Sequence, residues 1–169
     1  RIRRTLLDFK YWIDQGGPPD SMCYWSENHQ ALFATGEYLA GRMFPEAIFT
    51  NDGRTGREHA AIGRERLLTW LEQRWRFGFI EWYSNTYYVE DIAPLANLVD
   101  LAGDGEIETK AATILDLLLY DVASQSFAGR LLSRRGRAFE GGKMGNDSLR
   151  AVAAKLWQDD AGAPRSGME

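Results

Sequence analysis

The chain has 169 residues, with 44% hydrophobic and 26% charged content. That is enough for one domain with its own core and too apolar for a disordered chain. A net charge of −4 gives the chain no overall basic bias, which argues against a nucleic-acid partner, and the basic clusters "RIRR" and "RLLSRRGR" are short enough to be solvated surface; one cysteine with two histidines excludes an intrachain disulfide and a common structural zinc site.

In chain order, Ile2, Leu6, Phe9 and Ile13 fall at helical intervals and predict a first helix over 2–13, ended by "GGPPD" at 16–20. A second helix is expected near 28–44, starting in Ser26–His29 and stopping before Pro45. Ala31, Leu32, Phe33, Ala34, Tyr38, Leu39 and Ala40 leave it no polar face, which predicts burial on all sides. After the polar loop "TNDGRTGRE", residues 58–77 read as an amphipathic helix. Ile62, Leu67, Leu68, Leu71 and Trp75 form its apolar stripe, and Arg64, Glu65, Glu72, Arg74 and Arg76 its polar side, with Gly78 as the stop. The pattern then recurs: a loop over 79–86, a helix over 87–102 apolar nearly all round with Pro94 in its first turns, the turn "GDGE", and an amphipathic helix near 107–122. "GRLLSRRGRAFEGGKMGND" is expected as loop or short strand, and a helix near 148–158 closes a single domain over 1–158, leaving 159–169 as a flexible tail.

This alternation of buried and amphipathic helices is matched by a short repeat. "WSEN" at 25–28 and "WYSN" at 82–85 both read Trp-x-x-Asn, lie 57 residues apart, and each precedes a helix expected to be buried. The predicted fold class is all-α, built of repeated helical hairpins of the α/α-toroid type, in which inner helices line a cavity and the two Trp-x-x-Asn segments share its rim. A plain helical bundle is the competing arrangement. A full toroid needs about twice this many helices. The chain is therefore expected to be a partial or short toroid, or a piece that further segments or subunits complete. It opens without Met and already in helical pattern, as a processed protein or a fragment would. No segment reads as a membrane span or a signal peptide, so a cytoplasmic protein and an exported one whose leader lies outside this chain both fit.

"WSENHQALFATGEYLAGRMFP", "TGREHA" and "GFIEWYSNTYYVEDIAPLANLVDLA" resemble a set of mostly uncharacterised microbial α/α-toroid proteins over roughly residues 20–140. More distantly, the chain resembles toroidal polysaccharide lyases of the alginate lyase and heparinase II/III type. That second likeness rests on Asn28-His29 at an inner-helix mouth and on Tyr87 or Tyr88 of the next hairpin. It implies β-elimination on a uronate-containing glycan without metal or other cofactor. The carboxylate beside the reacting carbon must be neutralised before its proton can leave. Asn28 or Asn85 can donate to it and Arg137 can pair with it. His29 or a tyrosine takes the proton, and Tyr87 or Tyr88 returns one to the leaving oxygen. Aromatic residues make up 12% of the chain, and those at the helix mouths, Trp25 and Trp82 among them, suit stacking on sugar rings.

Glu27 departs from the lyase pattern, because an acid beside the Asn-His pair repels a uronate unless it is turned away, protonated or ion-paired. It opens a glycoside hydrolase alternative with two carboxylic acids drawn from Glu27, Glu81, Glu90 and Asp91. A third reading is a non-catalytic helical scaffold presenting its aromatics to a protein. Simpler roles compete residue by residue. Asn28 and Asn85 suit helix N-caps, Glu90 and Asp91 suit a helix N-terminus, His59 suits a structural role, and "EGGKMG" lacks the phosphate-loop pattern.

Overall fold

The computed structural model describes residues 1–127, 130–131, 136 and 149–156. Its elements are α1 (Ile2–Asp8), α2 (Glu27–Met43), α3 (Gly56–Phe77), α4 (Tyr88–Leu101), α5 (Gly105–Ser124), the two-residue strands β1 (Ser126–Phe127) and β2 (Arg130–Leu131), and α6 (Arg150–Leu156). The strands pair antiparallel, Ser126 opposite Leu131. The protein is mostly helical, as the periodicity implied.

Local chemistry sets the helix ends. Thr55 and Glu58 form a reciprocal capping box at the start of α3, satisfying donors that a bare helix end leaves open. Asp104 accepts from the backbone N–H groups of Glu106 and Ile107 to start α5. Gly78, with φ +69°, turns the chain out of α3. The Asn caps expected from Trp-x-x-Asn are absent. The residue preceding α2 is Ser26 and the one preceding α4 is Tyr87, and neither makes a side-chain cap bond. Asn28 lies inside the first turn of α2, and Asn85 lies in the turn before α4.

The long helices form two antiparallel hairpins, α2 with α3 and α4 with α5, and α2 also packs on α4 and α3 on α5. A continuous core joins them, with Tyr38, Leu67, Leu71, Leu95, Ile107 and Leu118 at its centre. The α2–α3 approach is close because α3 carries glycine where it crosses Tyr38. A Cβ on Gly63 would lie 2.7 Å from the Tyr38 backbone nitrogen. At the other end, the Tyr38 hydroxyl donates to the Ala102 carbonyl at 3.0 Å, and the Arg42 guanidinium also bonds that carbonyl, closing the C-terminus of α4.

Three sequence expectations are corrected. α2 has no exposed residue from Glu27 to Gly41, yet His29, Gln30, Leu32, Phe33, Gly36 and Leu39 are only half-buried, and α4 is less covered still: Ala93, Asn97, Asp100 and Leu101 are exposed on the face turned from α2 and α5. Arg74 and Trp75 exchange roles. Arg74 is buried and Trp75 exposed, because the last turns of α3 face the start of α2, where Glu27 supplies a counter-charge. α1 ends at Asp8, after which Phe9 is extended. The chain there turns Tyr11 into a small cluster with Phe49 and Ala40, leaving Ile13 exposed.

A polar network ties that cluster to the hairpin. His59 is fully buried, stacked on Phe49 with ring centroids 4.1 Å apart. Its Nδ1 pairs with Glu37 Oε1 at 2.8 Å and its Nε2 with Asp52 Oδ1 at 3.0 Å. Glu37 also accepts from Gln15 Nε2 and Arg66 Nη1. Every polar atom of the Glu37 carboxylate and the His59 ring is thus engaged, which fits the structural role expected of His59.

Candidate functional site

The mouth of α2 bonds the chain just ahead of the second Trp-x-x-Asn segment. Glu27, in the first turn of α2, accepts a hydrogen bond from the Ile80 backbone N–H at 2.8 Å through Oε2. The same carboxylate is ion-paired with Arg74 from the end of α3, and both side chains are buried. The Trp70 indole N–H donates to the Glu27 carbonyl at 3.0 Å, and the Arg74 guanidinium lies 5.5 Å from the Trp70 ring centre. Burial lowers the Arg74 pKa while the charge of Asp91 raises it. Glu27 is therefore an acid whose charge is already answered.

Beside it, Ser26 orients the Asn-His pair. Its hydroxyl donates to Asn28 Oδ1 at 2.8 Å and lies 2.5 Å from His29 Nδ1. A serine has one proton to give. Which partner donates in the Ser26–His29 contact is set by the His29 tautomer. His29 is half-buried and rests against Phe33, ring centroids 5.5 Å apart. Trp25 projects from this mouth, 71% exposed, and Trp82 is 48% exposed on the facing turn.

That facing turn is tight. Tyr83 has φ +53°, the left-handed region a non-glycine residue seldom occupies, and it meets Trp82 edge-on at 5.5 Å. Ser84 Oγ accepts from the Tyr87 backbone N–H at 3.2 Å. The Gly136 N–H donates to the Trp82 carbonyl at 2.8 Å, so the chain beyond β2 returns to this turn. Arg137 lies outside the described residues. Below the turn, Asp91 is fully buried, and burial followed by the charge of Glu81 pushes its carboxyl up to about 8 against the pull of Arg74. Among the described residues, neither carboxyl oxygen of Asp91 and neither polar atom of the Asn85 amide has a hydrogen-bond partner. Asp91 is thus a neutral acid at neutral pH, beside a cation and a second carboxylate.

The structure brings Glu27 against Ile80, at the start of the turn that carries Glu81, Trp82 and Asn85, and through Arg74 near Asp91, whereas His29 packs on Phe33, on the side of α2 that faces Phe9 and Tyr24. Tyr87 stands half-buried at the start of α4. Tyr88 is turned the other way. It is buried against Phe79, and its hydroxyl donates to Asp121 Oδ2 of α5 at 3.4 Å. Burial pushes its phenol above the ordinary tyrosine range. Arg74 was missed from sequence because its charge placed it on the polar side. The available signal was its spacing, one turn beyond Trp70 and Leu71 on the buried face. Among the described residues no group of three or more His, Cys, Asp or Glu side chains is arranged to hold a metal ion.

The chain matches no family model, no curated protein and no solved structure. What the site can do is therefore argued from its own atoms. It offers an imidazole, amides, a carboxyl whose protonated form burial favours, and exposed indoles within one end of the helical hairpins. Among the described residues, no helix is long and apolar enough to cross a membrane.

Proposed function

We propose that this protein is a carbohydrate-active enzyme, a polysaccharide lyase that cleaves uronate-containing glycans by β-elimination at the mouth of α2. The observation that carries the proposal is the Ser26–Asn28–His29 arrangement, in which the Ser26 hydroxyl contacts both the Asn28 amide oxygen and the imidazole Nδ1. The Glu27–Arg74 ion pair supports it, since it answers the acid that would otherwise repel a uronate. In this reading the amide of Asn28 or Asn85 donates to the uronate carboxylate. His29 Nε2 takes the C5 proton, the C4–O bond breaks as the C4–C5 double bond forms, and a tyrosine protonates the departing oxygen. Tyr87 suits that last role better than Tyr88, whose hydroxyl is directed to Asp121. Trp25 and Trp82 hold the sugar rings, and Arg137 is the candidate clamp on the carboxylate. No cofactor enters these steps. The side-by-side packing of the two hairpins and the recurrence of Trp-x-x-Asn support the α/α-toroid reading over a plain bundle. The exposed face of α4 is where further segments or subunits would continue the ring.

A second reading is favoured by Asp91. A buried, neutral carboxylic acid beside Glu81 is the pairing a toroid glycoside hydrolase uses to protonate a glycosidic oxygen. Incubation with a panel of uronate and neutral polysaccharides separates the two. The lyase produces the ultraviolet absorbance of an unsaturated uronate, abolished by His29→Ala. The hydrolase produces reducing ends without absorbance, abolished by Asp91→Asn. A panel with neither signal refutes both and leaves the non-catalytic scaffold.

A further inference from the structure

The outer sides of α3 and α5 form a surface that the α2 mouth does not use. The two helices run side by side in the same direction, since Arg64 of α3 bonds Asp104 and Glu106 at the start of α5, each at 2.8 Å. Glu106 also pairs with Lys110 at 3.2 Å. The first half of the helix pair is thus closed by ion pairs. The second half is apolar and open. Trp75 is 60% exposed, Leu117 41% and Tyr120 70%. Between the helices lies a groove of about 320 Å³, lined by Leu71, Glu72, Trp75, Lys110, Thr113 and Ile114. We propose that this face is the interface of a homodimer, in which each copy inserts Tyr120 into the other's groove.

Size, reach and area select a second copy as the occupant. An apolar cavity of about 150 Å³ holds a benzene ring, so this groove has room for a phenol, with its hydroxyl at the edge formed by Glu72 and Lys110. The same face carries that phenol. Thr113, Leu117 and Tyr120 follow i, i+4, i+7 spacing and share one stripe of α5. Thr113 and Tyr120 are two turns apart, about 10 Å along the helix, with Leu117 between them. A two-fold axis near Leu117 sets the two α5 helices antiparallel, exchanges the outer two positions and seats both tyrosines at once. Knob and hole then lie on one self-complementary patch, as an isologous contact requires. Both aromatic residues are available for it. Among the described residues, neither Trp75 nor Tyr120 has a side-chain hydrogen bond, ring contact or cation partner. A standard interface takes about 800 Å² from each partner, about 450 Å² of it apolar. With about 150–250 Å² per aromatic side chain, the exposed parts of Trp75, Tyr120 and Leu117 supply roughly 350 Å². The half-exposed stems of Glu72 and Lys110 and the Thr113 methyl group supply the remainder.

The test is sedimentation velocity of the full chain from low micromolar to submillimolar concentration. A reversible monomer–dimer equilibrium is expected. Tyr120→Ala is expected to weaken it about thirtyfold, and Thr69→Ala, exposed on the opposite side of α3, to leave it unchanged. Both positions are exposed, and melting followed by circular dichroism confirms that each variant folds. In a Cys23→Ser background, Leu117→Cys is expected to give a covalent dimer on mild oxidation, because the axis brings the two copies of that position together. Thr69→Cys in the same background is expected not to crosslink. Three results overturn the interface: a parent that is monomeric at every concentration, a Tyr120→Ala variant that dimerises like the parent, or a Leu117→Cys variant that crosslinks no faster than Thr69→Cys. Dimerisation is read without substrate, so its success or failure is independent of the catalytic reading.

Discussion

Replacing Asp91 by asparagine tests the central electrostatic claim. The Asp91 carboxyl titrates near 8 in the folded protein against an ordinary 3.8. Between those values the folded chain keeps a proton that the unfolded chain has released. Stability therefore falls as pH rises through that window, by about 1.4 kcal/mol per pH unit. The ionised form is the penalised one, so this contribution is least harmful below pH 4 and most harmful above pH 8. Asparagine has nearly the same shape and cannot ionise. Asp91→Asn should exceed the parent by only about 1.5 kcal/mol at pH 5 and by about 5 kcal/mol at pH 8. For a chain of this size the pH 8 difference is roughly 10–20 °C in melting temperature. Thermal unfolding followed by circular dichroism at pH 5, 6, 7 and 8 gives the comparison directly. Parallel pH profiles for the two proteins, or a variant less stable at pH 8, would refute the assignment of Asp91 as a buried neutral acid.

Two further outcomes follow from the packing. Glu27→Gln leaves the buried Arg74 guanidinium without its counter-ion and should cost about 3–5 kcal/mol in urea unfolding, whereas Glu27→Gln combined with Arg74→Leu should recover most of that loss; a single variant within 1 kcal/mol of the parent would place the pair in water rather than in the core. Gly63→Ala adds a methyl group 2.7 Å from the Tyr38 backbone nitrogen and should destabilise by about 1–3 kcal/mol even though alanine is the better helix former, so a gain in melting temperature would contradict the close α2–α3 approach.

Much of this protein is written locally. The elements from Glu27 to Ser124 follow from hydrophobic spacing and from stop and start residues such as Thr55, Gly78 and Asp104. Their types and boundaries were legible because each depends on neighbours a few residues away. The two Trp-x-x-Asn segments were also legible as the lead-ins to α2 and α4. What the asparagines do there was not. A cap is decided by where the first turn begins, and Ser26 and Tyr87 hold those places.

Tertiary structure alone decided the charges. Arg74 sits on a face that its spacing shares with Leu67, Trp70 and Leu71, yet a guanidinium is buried only where a partner waits. That partner, Glu27, is distant in sequence and comes from another helix. The same holds for Asp91, whose acidity is set by burial, Glu81 and Arg74 together, and for His59, held between Glu37 and Asp52. The sequence determined the helices and their hairpin order because hydrophobic periodicity is a property of one segment. Only the folded chain determined which acid is neutral and which is paired, because electrostatic energy depends on distances between segments and on the water excluded from between them.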